Sequence, residues 1–215
     1  MIHMAKVLAS SVANASAGFV RFFADSADGR PKYKDEVGAV FGFAGGTKAL
    51  VVASAAIAAT ETVVMQDTIP AASLQVGTTF RITLFGRFTQ TGLTAVVNNF
   101  RIRIGTAGTV ADAQVVLLPA TSNAAASTNI AHKVEFLVTI RTVGVSGTAI
   151  GYGVLSNMGV TGVSASAVVV APSGAAPAAT TVNTTVANTI SVTFIAGAAT
   201  SNAVIEQGSI EIVKV

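Results

Sequence analysis

The chain has 215 residues, 13 of them Lys or Arg and 10 Asp or Glu, and it contains no cysteine; disulfides, thiolate metal sites and a cysteine nucleophile are therefore excluded. Charged residues make up only 11 %, against an apolar content of 51 % that rests on Ala, Val and eleven Phe with no Trp, so a disordered polyelectrolyte is excluded as well. Folded as one unit, a chain of this size exposes roughly 9,000 Å², and one sizeable core of small β-branched side chains and Phe rings can be buried.

Residues 1–17 hold Lys6 and a short apolar stretch broken by Ser10, Ser11, Asn14 and Ser16, which reads as an extended arm and not as a secretory signal. Eight of the 23 charges then fall between residues 21 and 36. Here Phe19-Val20-Arg21-Phe22-Phe23 is an aromatic strand, Asp28-Gly29 a hairpin turn, Pro31 to Lys34 a return strand, and Val40-Phe41-Gly42-Phe43 a third. Ribbons this small bury too little to stand alone. Residues 49–60 are almost all Ala, Val and Ile, and periodicity leaves a short helix or a strand open, with strand or extended linker favoured.

From Glu61 onward short strands recur. They are expected at 62–66, 78–89, 98–104, 113–118, 132–143, 149–155, 167–170, 182–186, 189–195 and 203–215, separated by turn-forming clusters. Phe80, Ile82, Leu84 and Phe88 alternate with polar residues, and Arg101 and Arg103 share the face opposite Phe100, Ile102 and Ile104. The expected fold class is all-β: an antiparallel β-sandwich of jelly-roll type, preceded by an extended N-terminal arm with short β-ribbons. The expected divisions are an arm and ribbon at 1–47, a linker or first strand at 48–60, and the sandwich at 61–215.

Residues 144–205 carry no Asp, Glu, Lys or Arg over 62 positions, yet no run reaches the 18 apolar residues of a membrane helix. A β-rich segment without charge points to packing against other protein, and self-association as a homotrimer is expected from it. Chemistry is sparse. His132 opens an expected strand beside Lys133 and Glu135 and reads as a solvated residue, Glu206 and Glu211 fall on opposite strand faces, and Asp25 to Gly29 lacks the ligands of a calcium loop. Neither G-x-S-x-G nor H-E-x-x-H occurs, the glycines at 42, 45 and 46 lack a P-loop lysine, and the basic residues form no patch with interleaved aromatics. No enzyme activity, cofactor, metal, nucleic acid or membrane is expected.

The segment 25–38, Asp-Ser-Ala-Asp-Gly-Arg-Pro-Lys-Tyr-Lys-Asp-Glu-Val-Gly, resembles the attachment ribbon near the start of many tailed-phage virion proteins. Residues 68–81, 100–109 and 138–144 resemble the jelly rolls of the same proteins. The resemblance implies a structural virion protein of the capsid decoration, cement or head-fibre type, on the capsid exterior, with the major capsid protein as partner. The alternative is a tail-fibre or baseplate protein that binds a host-surface receptor such as a glycan, although the aromatic residues typical of a sugar-binding tip are missing. The expected capsid-contact residues are the aromatics Phe19, Phe22, Phe23, Tyr33, Phe41 and Phe43, which supply apolar area, and the cations Arg21, Arg30, Lys32 and Lys34, which steer approach to an acidic shell.

Overall fold

A computed structural model describes residues 6–26, 31–34, 36, 38, 40–42, 47–50, 52–57, 59–92, 97–119, 127–157, 168–171 and 177–214. Among them there is one 3-10 turn, Ala9–Ser11, and no α-helix. The N-terminal strands are β1 (Lys6–Val7), β2 (Arg21–Asp25), β3 (Pro31–Lys34), β4 (Val40–Gly42) and β5 (Thr47–Leu50). Next come β6 (Thr62–Ile69), β7 (Thr79–Gln90), β8 (Asn99–Gly105), β9 (Ala113–Pro119) and β10 (Ser127–Thr142). The last are β11 (Gly147–Asn157), β12 (Val168–Ala171), β13 (Thr180–Val182), β14 (Asn188–Ile195) and β15 (Ser201–Lys214).

Three sheets result. A small N-terminal sheet has the order β1-β2-β3-β4, with only the two-residue β1–β2 pair parallel. A seven-stranded sheet has the order β12-β11-β10-β7-β15-β5, and β13 pairs with β11. The third sheet is β6-β14-β8-β9, and all pairing in these two larger sheets is antiparallel. The expected all-β antiparallel sandwich is what forms. The segment at 49–60 contributes both a strand and a linker: β5 pairs with β15, and Ile57 makes an isolated bridge to Ala203.

Alternation explains how the sandwich closes. On β7, Phe80, Ile82, Leu84, Gly86 and Phe88 are buried; on β8, Phe100, Ile102 and Ile104 are buried. Phe88 brings its ring to 6.0 Å from both Phe100 and Phe194, which belong to the opposite sheet, so aromatic contacts tie the two layers together. Close approach elsewhere depends on missing side chains. A Cβ at Gly151 of β11 would overlap Val116 of β9, and one at Gly153 would come 2.6 Å from the Phe136 ring.

The charge-free stretch has an intramolecular cause over part of its length. β14 is central in its sheet, and Ile190, Val192 and Phe194 face the core while Ser191 and Thr193, on the other face, are also buried. A strand covered on both faces has no place for an unpaired charge. β13 ends at Val182, short of the expected 182–186, because Asn183 and Asn188 hold a turn there. The Asn183 side-chain oxygen accepts the Thr185 N–H at 3.0 Å, and the Asn188 amide donates to the Asn183 carbonyl at 2.8 Å.

Candidate functional site

The N-terminal sheet gathers most of the residues expected to make contact. Register places Phe22 opposite Tyr33 and Tyr33 opposite Phe41, and the Phe22 and Tyr33 rings lie 6.2 Å apart at 59°. The neighbouring rows pair Arg21 with Lys34 and Phe23 with Lys32. Lys34 is anchored, donating from Nζ to the Val12 carbonyl at 2.7 Å, which ties β3 to the segment after the 3-10 turn. Arg30 and Phe43 lie outside the described residues, and Phe41 is placed by its backbone alone.

Exposure divides the aromatics. Phe19 is 71 % exposed and Phe22 57 %, while Phe23 is 4 % exposed and serves the sheet's own interior. The side chain of Phe23 alternates away from that of Phe22 and faces the interior. Leu8 and Val20 are exposed too, so this region presents apolar surface to its outside. Inside, Ala15 and Phe23 are its buried apolar residues among those described, and neither belongs to the main core. A sheet with so little burial gains most of its stability from whatever it lies against.

On the sandwich, several ionisable groups are engaged with one another. Glu61 accepts from Arg101 Nη1 at 2.7 Å, from Arg103 Nε at 2.9 Å and from Thr193 Oγ1 at 2.6 Å. Burial pushes the Glu61 carboxyl upward, but the hydrogen bonds from Arg103 and Thr193 and the charges of Arg101 and Arg103 outweigh it and hold the group below its ordinary value. Its contribution to stability is complete above pH 4.5 and is lost as pH falls through the lowered folded value. Glu61→Gln is expected to cost on the order of 2 kcal/mol at neutral pH, between the values for exposed and buried pairs, read by urea unfolding. Asp112, at the end of the β8–β9 connection, accepts the N–H groups of Ala107, Gly108 and Thr109 at 3.2, 2.7 and 3.2 Å, which fixes that loop.

Two sequence expectations are corrected. Glu206 pairs with Arg87 and Glu211 with Arg81, both on the outer side of β7, because a bulge between Ile205 and Gln207 resets the alternation and brings the two carboxylates to one face. His132 is not solvated. It is fully buried, stacked on Phe88 with ring centres 3.9 Å apart and 5.7 Å from Phe100, and neither ring nitrogen has a hydrogen-bond partner. Burial lowers its pKa to about 4; the Ile130 backbone opposes the shift in part without the geometry of a hydrogen bond. The signal lay in parity, since His132 is in phase with the buried residues Val134, Phe136, Val138 and Ile140.

Among the described residues no three His, Asp or Glu side chains gather as metal ligands. The chain matches no protein-family model, no curated protein and no solved structure.

Proposed function

We propose that this is a structural protein of a tailed-phage virion, a decoration or cement protein that attaches to the assembled capsid through its N-terminal sheet while the sandwich, read as a jelly roll, projects outward. The observation that carries the reading is the N-terminal sheet: a thin layer with Phe19, Val20 and Phe22 exposed beside Arg21, and little core of its own. Surface of this kind is suited to burial against a second protein. Binding only the assembled shell would stabilise that shell by linkage, which is how a cement protein acts without chemistry. The engagement of Glu61, Glu206, Glu211 and Asp112 by neighbouring groups and the enclosure of His132 favour a mechanical role over a catalytic one.

The test is binding to purified particles that lack this protein, with the major capsid protein as the partner. Phe19→Ser with Phe22→Ser is expected to speed release about 30-fold, as loss of roughly 2 kcal/mol of buried aromatic contact requires, at any salt concentration. Arg21→Ala is expected to slow association at low salt only, because an exposed charge steers encounter and is screened by salt. Unchanged release from the Phe19, Phe22 variant would contradict attachment through this sheet.

A further inference from the structure

The outer face of the seven-stranded sheet carries an apolar strip with a charge-balanced border, and we propose that this face docks a second copy of the chain across a two-fold axis. The strip runs across strands. Tyr152 of β11 stands opposite Leu137 of β10 in register, and they are 46 % and 47 % exposed. With Val154 they line a shallow depression of about 230 Å³, bordered by Arg81 and Glu135. Two exposed large apolar groups side by side in a sheet face, with a hollow between them and the charged border, have the layout of an interface centre and rim.

The border identifies the occupant. Arg81 faces Glu211 at 3.9 Å, and Lys133 meets Glu135 at 3.1 Å while standing 5.8 Å over the Phe85 ring. Two cation–anion pairs, Arg81 with Glu211 and Lys133 with Glu135, stand beside the strip, so a partner of a single sign, such as a nucleic acid or an anionic membrane, would meet repulsion along with attraction there. A second copy turned through 180° carries the same two cations and two anions in the same arrangement, and an isologous contact can set each cation against an anion of the other copy. The Arg81 side chain is 52 % exposed and its pairing within the chain is loose, so its guanidinium is able to reach across. Sheet faces pack about 10 Å apart, a spacing that Tyr152 and Leu137 can span by interdigitation.

A two-fold pair differs from the three-fold association expected from the charge-free sequence, and it does not depend on how the N-terminal sheet is used. Sedimentation of the full chain at micromolar concentration is the test. A dimer is expected; Leu137→Asp and, separately, Tyr152→Ser should each weaken it at least 30-fold with an unchanged far-UV CD spectrum. Val110→Asp, at an exposed position in the β8–β9 connection of the opposite sheet, should leave the dimer intact. A monomer throughout, a trimer, or a dimer indifferent to both Leu137→Asp and Tyr152→Ser would overturn the proposal.

Discussion

Replacing Phe194 by alanine is expected to lower stability by about 4 kcal/mol, within the range for deleting a buried aromatic side chain. Phe194 is fully buried on the central strand β14, with its ring 4.8 Å from Phe100 and 6.0 Å from Phe88. The loss combines transfer of the ring to solvent with a cavity that its neighbours cannot fill, because β14 is held on both sides by β6 and β8. For a domain whose total stability is about 5–15 kcal/mol, this is a large share. Urea unfolding measures it, and Phe22→Ala, at a side chain 57 % exposed, is the control that should cost less than about 1 kcal/mol. Equal effects at the two positions would mean that the sheets do not meet through Phe88, Phe100 and Phe194.

Acidification is the second large effect, and it runs through His132. In the unfolded chain the ring takes a proton near pH 6.5, whereas in the folded protein it does so only near 4. Between those values the unfolded state holds more protons, so stability rises with pH across the window and is lost as pH falls from 6.5 to 4. The full loss is about 3 kcal/mol, from a shift of this size at 1.36 kcal/mol per pH unit. Below pH 4.5 the loss of the Glu61 contribution adds to it. His132→Leu leaves no ring nitrogens without partners and should flatten stability between pH 6.5 and 4.5 while keeping or raising it at pH 7. A variant whose stability still fell across that window would assign the effect to other groups. Gly86 belongs to the same arrangement: it lies opposite His132 in register, and a Cβ there would come 2.9 Å from the imidazole Cε1.

Strand positions were legible because side-chain alternation is a local property. Phe80 to Phe88 and Phe100 to Ile104 show their buried faces in sequence, and apart from β13 the strands β6 to β15 overlap the segments where period two and turn residues place them. What sequence hid was set by partners distant in the chain. His132 looks like a strand opening until β10 is seen to begin at Ser127, and only then does its parity point inward. The bulge at Glu206 depends on register with β7, so the common face of Glu206 and Glu211 could not be read from their spacing.

The same limit applies to the surface proposed to make contact. Its aromatic and basic composition was visible, but the division between buried Phe23 and exposed Phe19 and Phe22 required the pairing of β2 with β3. The charge-free stretch suggested an assembly surface, whereas along β14 it reflects burial on both faces within the chain. Sequence cannot distinguish these two causes because each removes charge for the same reason, the cost of desolvating it.

Locating the chain in intact phage particles by electron microscopy tests the proposed attachment most directly. The prediction is density on the capsid exterior, with the N-terminal sheet against the major capsid protein and Phe19 and Phe22 covered by it. Density at the tail tip, or on the capsid with the N-terminal sheet directed away from the shell, would contradict it.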